Sequence, residues 1–268
     1  MADAATADIL IRVEDLTVAY DDAVVLDGLG FHVRRGEVFV ILGGSGSGKS
    51  SLLKQLIGLQ RPRAGRILYG EHDLVSAVGG ARQALLRRIG VAYQGGALFG
   101  SRTLRENVRL PLEEFTDLPP EALDAVADAR LRMVGLAGFE EHLPSEVSGG
   151  MAKRAALARA LALDPEVLFL DEPSAGLDPI TSAELDDTIL TLSASLGLTF
   201  VVVTHELSSI EAIADRVLML DRERRGAVAC GSLDEVRRSD EPFVQRFFQR
   251  RAARAAAGPS ASAPGDPT

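Results

Sequence analysis

Apolar residues fall along this chain in two rhythms. Runs that are apolar at nearly every position occupy residues 37–42, 88–93, 167–170, 199–204 and 217–220. Successive side chains of a strand point to opposite faces, so such runs belong to strands buried on both sides and predict a mainly parallel sheet covered by helices. Residues 10–35 alternate apolar and polar around an Asp21-Asp22 turn. That pattern predicts a small antiparallel sheet ahead of the parallel one. Between 104 and 163 no strong strand signal occurs, while residues 119–136 and 151–163 carry Ala, Leu and Arg in helical proportions. A helical lobe, about residues 95–164, is expected as an insertion between two core strands. The fold class is α/β.

The run at 37–42 leads into Gly43-Gly44-Ser45-Gly46-Ser47-Gly48-Lys49-Ser50, and a helix is predicted over 50–59. Glycines reach backbone angles closed to other residues and aim successive N–H groups at phosphate oxygens. The following helix adds unpaired N–H groups and the positive end of its dipole. Lys49 is expected to reach the β- and γ-phosphates, and the Ser50 hydroxyl to ligate Mg²⁺. Ser51 extends the ATP-binding set. The chain has 26 arginines and only three lysines, at 49, 54 and 153, so a lysine at this position is informative.

A magnesium nucleotide site also needs a carboxylate at the end of a neighbouring buried strand. The run Val167-Leu168-Phe169-Leu170 ends in Asp171-Glu172. Asp171 is expected to hold Mg²⁺, through water, and Glu172 to polarise the attacking water as general base. Together, the phosphate loop and the strand-end carboxylates resemble the core of P-loop NTPases of RecA-like type.

Ser148-Gly149-Gly150 stands before a predicted helix and shortly before the acidic strand. It resembles the signature of ATP-binding cassette (ABC) proteins, usually written LSGGQ. The resemblance covers about residues 10–235. It implies a head-to-tail homodimer in which Ser148, Gly149, Gly150 and Met151 cover the γ-phosphate held by the partner subunit. Further positions match the family in type and order. Tyr20 is similar to the aromatic residue that stacks on adenine, and Gln94 to the residue whose loop senses Mg²⁺ and contacts the permease. His205 resembles the switch histidine at the γ-phosphate, and Gly176-Leu177-Asp178 the loop for subunit communication. Met151 replaces a common Gln and Glu206 a common Asp, so Ser148 and backbone amides are expected to carry the contact in trans. His32, His72 and His142 match no family position.

Gln94-Gly95-Gly96-Ala97-Leu98-Phe99, Ser148 through Arg154, and Gly176 through Ile180 look like the ATPases that serve mammalian-cell-entry (MCE) systems, most closely the maintenance-of-lipid-asymmetry type of phospholipid transporter. That resemblance implies membrane permease subunits, an MCE-domain protein and a STAS-domain regulator as partners, with lipid as cargo. Importers or exporters of amino acids, ions or drugs use the same engine and are the alternative, followed by a cassette ATPase outside transport.

Composition narrows the surroundings. A formal net charge of −9 gives no reason to expect nucleic acid. A single cysteine, Cys230, fits a reducing compartment. No apolar window reaches the ~18 residues of a membrane-spanning helix, and residues 1–8 lack signal-peptide layout, so a soluble, cytoplasmic chain is expected; the resemblance to transporter ATPases implies that it lies peripherally on the cytoplasmic face of the inner membrane. Residues 1–9 are expected to be flexible, 236–251 to form a C-terminal helical extension, and 252–268 to be a disordered tail. Three phenylalanines in Pro242-Phe243-Val244-Gln245-Arg246-Phe247-Phe248 suit the extension either to embrace a neighbouring subunit or to fold onto its own core.

Overall fold

The structure, a computed structural model, describes residues 8–256, with side chains through 249. Strands β1 (Ile9–Tyr20) and β2 (Ala23–Arg34) are followed by β3 (Val38–Gly43), α1 (Lys49–Leu56), β4 (Ala64–Tyr69) and β5 (His72–Asp73). Next come α2 (Gly79–Arg87), β6 (Ile89–Ala92), α3 (Leu104–Phe115), α4 (Pro120–Met133), a 3₁₀ turn at Pro144–Glu146 and α5 (Gly149–Ala160). The remainder is β7 (Val167–Asp171), α6 (Pro179–Leu196), β8 (Thr199–Val203), α7 (Leu207–Ile213), β9 (Arg216–Asp221), β10 (Gly226–Gly231), α8 (Leu233–Arg237) and α9 (Pro242–Ala256).

Six strands form the central sheet in the order β10-β9-β3-β8-β7-β6, parallel except for β10. Because its strands are sandwiched, each contributes alternate residues to two cores. Val38, Val40 and Leu42 of β3 pack on the side of α3–α7 and α9, whereas Phe39 and Ile41 face α1 and the second sheet. That second sheet is antiparallel, in the order β2-β1-β4-β5. The alternation at 10–35 is its first hairpin. Its other two strands, and β10, carry too little apolar pattern to stand out: β10 reads Gly-Ala-Val-Ala-Cys-Gly.

Between β6 and β7 lies the expected helical lobe. Thr103 and Glu106 cap α3 reciprocally, with Glu106 N donating to Thr103 Oγ1 at 3.1 Å and Thr103 N to Glu106 Oε2 at 2.8 Å. Leu104, Val108, Leu112, Leu123, Ala127 and Leu131 close the apolar seam of α3 and α4. Arg105–Asp128 and Arg109–Asp124, each 2.7 Å, tie its outer edge.

Two boundary expectations are corrected. Ile9 already belongs to β1, and residues 252–256 continue α9 because Ala-Ala-Arg-Ala-Ala favours helix. Residues 1–7 and 257–268, expected to be flexible and disordered, lie outside the described residues. The C-terminal extension is two helices, α8 and α9, and α9 folds onto its own core: Val244 is fully buried, and Phe243, Phe247 and Phe248, partly buried, pack against the same core. No helix among the described residues is long and apolar enough to cross a membrane.

Candidate functional site

The register brings three strand ends to one edge of the sheet. Ile41 of β3 pairs with Val203 of β8, and Val203 also pairs with Asp171 of β7. The loops leaving β3, β7 and β8 therefore share a single crevice at the carboxyl ends of parallel strands, the place such sheets hold ligands.

From β3 the chain turns through the glycine-rich loop. A Cβ on Gly43 would lie 2.4 Å from the Leu220 carbonyl oxygen, so only glycine fits against β9. Gly48 stands at φ 95° as the N-cap of α1 and faces Leu26. Lys49 Nζ donates to the carbonyls of Gly43 and Gly44, both at 3.0 Å, which holds the ammonium over the loop. Ser47 is buried with its hydroxyl unpartnered, while Ser45, Gly46 and Ser50 are exposed at the rim. The Tyr20 hydroxyl donates to Gln60 Oε1 at 2.9 Å and bonds Ser51 Oγ at 3.2 Å, leaving its ring exposed beside α1. A flat aromatic surface next to a phosphate cradle suits a nucleobase.

At the end of β7, Asp171 is half-buried and its pKa is raised, chiefly by burial and then by the neighbouring Glu172; Lys49, Lys54 and Lys153 pull the other way. Glu172 has φ 47°, and its N–H is held by the Val203 carbonyl at 2.7 Å. This turn aims its carboxylate at His205, whose Nδ1 lies 2.6 Å from Glu172 Oε1 and whose backbone N donates to Oε2 at 3.3 Å. No group of three or more His, Cys, Asp or Glu able to hold a metal occurs among the described residues. The donors offered by Asp171, Ser50 and Gln94, a carboxylate, a hydroxyl and an amide oxygen, fit Mg²⁺ that keeps waters and is shared with nucleotide phosphates.

Ser148 is the N-cap of α5, its Oγ accepting Met151 N at 3.2 Å, and Gly149 and Gly150 form the first turn of that helix rather than preceding it. Gly150 is buried, and a Cβ there would stand 2.2 Å from Thr181 Cγ2. Two residues before α6 begins to turn, Leu177 Cδ2 stands 3.8 Å from where a Cβ on Gly149 would be, and Asp178 caps α6, accepting from Ile180 N at 3.0 Å and Thr181 N at 3.1 Å. The signature residues and the Asp178 loop are thus one packed unit. The Thr181 hydroxyl, 2.5 Å from Asp178 Oδ2, and these amides hold the Asp178 carboxyl below its usual pKa.

Gln94 is exposed just after β6, and α5 grips its loop through two residues that sequence reading did not single out for this role. Lys153 Nζ donates to the Gln94 carbonyl. Arg159 donates to the carbonyls of Ala97 at 2.7 Å and Gly96 at 2.8 Å. Asn107, fully buried, completes the loop by binding Phe99 N at 2.8 Å and the carbonyls of Phe99, Arg102 and Thr103.

The ABC transporter family model matches residues 26–175, which contain the phosphate loop, the signature and the acidic strand. The chain belongs to this ABC transporter family. A curated relative, the "probable ribonucleotide transport ATP-binding protein mkl" of Mycobacterium leprae, is 38% identical over 91% of this chain and 70% of the relative. The "intermembrane phospholipid transport system ATP-binding protein MlaF" of Escherichia coli strain K12 is 36% identical over 89% of this chain and 88% of MlaF. Among solved structures, the dimeric post-hydrolysis state of the ATP-binding cassette MJ0796 with ADP and Pi aligns with a TM-score of 0.74. It is 28% identical and covers 83% of this chain and 98% of that one. Family membership makes this ABC protein an ATPase, a subunit that binds and hydrolyses ATP.

Proposed function

We propose that this ABC ATPase drives phospholipid transport across a cell envelope, working as a homodimer beneath a membrane permease on its cytoplasmic face. One observation carries the mechanism: the Lys49 loop, Asp171 and the Glu172–His205 pair converge on one crevice, while Ser148 is built into a separate unit with Asp178. A second copy placed head to tail brings its Ser148 to the phosphates held here.

The loop amides of residues 44–48 and the ammonium of Lys49 bind the phosphates, and Tyr20 receives the adenine. Ser50, Asp171 and Gln94 would hold Mg²⁺, which would supply neutralisation of phosphate charge when bound. Glu172 takes a proton from the attacking water, and His205 fixes that carboxylate while facing the γ-phosphate. Ser148, Gly149, Gly150 and Met151 of the second copy close the site with backbone N–H groups at a helix N-terminus. Closure and reopening reach the permease through the Gln94 loop. Beside that loop lies a cleft of about 420 Å³ lined by Leu86, Ile89, Val91, Phe115, Arg159 and Leu163, which this reading assigns to a permease segment.

The lipid cargo is supported by the similarity to MlaF and by the stretches around Gln94, Met151 and Asp178. The same stretches support an MCE-domain partner and a STAS-domain regulator. The name of the mycobacterial relative favours a second reading, transport of ribonucleotides. Purification of the native complex from membranes, followed by mass spectrometry of its subunits and bound small molecules, separates them. An MCE protein with phospholipid is the expected result; a solute-binding protein without lipid refutes the proposal.

A further inference from the structure

The outer wall of the phosphate loop is built by the C-terminal part of the chain. The Leu220 carbonyl of β9 abuts Gly43. Past it, Arg222 in the β9–β10 turn lays its side chain along Gly46, with Cδ 3.6 Å and Nη1 3.8 Å from where a Cβ would stand. The Phe243 ring comes to 3.7 Å from the corresponding point on Gly44. Phe243 is the second residue of α9, and that end of the helix is anchored. Val244 beside it is fully buried, the preceding Glu241 pairs with Arg224 of the turn at 3.4 Å, and the Glu241 carbonyl accepts Gln245 N at 3.2 Å. Phe247, one helical turn on, packs instead against Phe248, 5.4 Å between ring centroids, and the core.

We propose that α9 and the β9–β10 turn brace the phosphate loop, and that Phe243 is a positioning residue for nucleotide binding within its own subunit. A loop made of glycines samples many shapes, and only the cradle binds phosphate. Apparent affinity falls by the fraction of time the cradle is lost. Two side chains standing 3.6–3.7 Å from where Cβ atoms on Gly44 and Gly46 would be limit from outside the space into which the loop can move. The C-terminal extension then sets nucleotide affinity before any second copy is engaged. This rests on the assignment of residues 43–50 as the phosphate site.

Equilibrium titration of the full chain with a fluorescent ATP analogue, at protein concentrations where it is monomeric, tests the brace. Phe243→Ala is expected to raise Kd about 3- to 10-fold, Phe243→Leu to restore most of the loss, and Phe247→Ala to leave Kd unchanged. If Phe243→Ala melts α9 from the core, seen as a lowered Tm, Arg222→Ala on the exposed turn carries the same expectation at about 2-fold. Unchanged Kd in the position 243 and 222 variants, or an equal rise in Phe247→Ala, overturns the brace. Lys49→Ala separates the two assignments. If it binds normally, the phosphate-loop reading fails and the brace with it; if it loses binding while Phe243→Ala does not, the brace alone fails.

Discussion

Glu172 sits at φ 47°, a backbone region that costs a residue with a Cβ on the order of 1–3 kcal/mol. The cost is offset by the Val203 carbonyl and by the contact with His205, and the result is a carboxylate fixed at the end of β7. Glu172→Gln keeps shape and one hydrogen bond but cannot take a proton. Hydrolysis is expected to fall at least ~10²-fold with ATP affinity changed little, as read by phosphate release and nucleotide titration. Gly150 gives a second residue-level test. A methyl group there meets Thr181 Cγ2, so Gly150→Ala is expected to destabilise by about 1–3 kcal/mol, and adding Thr181→Ser should recover part of it in Tm. Asp186, buried between α6 and α7, gives a third. Burial raises its pKa from 3.8 to about 6; the Ser209 hydroxyl opposes this, and Glu206 and Asp187 add to it. The folded chain then binds this proton more tightly than the unfolded chain. Stability from this group is present below about pH 4 and is lost as pH rises through about 6, by up to roughly 3 kcal/mol. Urea unfolding of Asp186→Asn across pH 4–8 should show a shallower decline than the parent.

Among elements, α5 does most to connect the site. Its first turn holds the signature, Lys153 and Arg159 clamp the Gln94 loop, and Gly150 packs it to α6. Arg159→Ala removes two hydrogen bonds from a loop whose Ala97 already has φ 50°. The expected outcome is unchanged ATP affinity but weaker stimulation by the permease, measured as ATPase activity with and without the membrane complex. Why these contacts escaped sequence reading is physical. Walker-type loops and strand-end carboxylates are local, and their chemistry dictates residue type at fixed spacing. Central strands were legible for the same reason, since burial on both faces leaves an uninterrupted apolar run. A carbonyl accepts from Lys or Arg wherever folding places it, so the partner of Lys153 is fixed by how α5 crosses β6, which no local pattern encodes. Strand β4 was missed because one of its two partners is β1, more than 40 residues away in the sequence, and β5 because it is two residues that pair with β4 alone. For α9, three phenylalanines on a polar helix were equally compatible with a partner's surface and with its own core, and packing decided for the core.

At the scale of the whole molecule, the proposed head-to-tail homodimer would make the active site a property of two chains, with Lys49 of one subunit facing Ser148 of the other. Mixed dimers expose this directly. Lys49→Ala disables the phosphate loop, and Ser148→Asp retains an N-cap side chain while setting a negative charge against the γ-phosphate. Each variant alone is expected to be inactive, because every site in either homodimer carries one defect. Mixed in equal amounts, half of the dimers are heterodimers, and in each the Lys49 of the Ser148→Asp chain faces the intact Ser148 of the Lys49→Ala chain. Hydrolysis should return to about a quarter of the parent level if the two sites act independently, and to less if they must fire together. Were Ser148 to serve the nucleotide of its own chain, neither chain would hold a complete site and mixing would restore nothing.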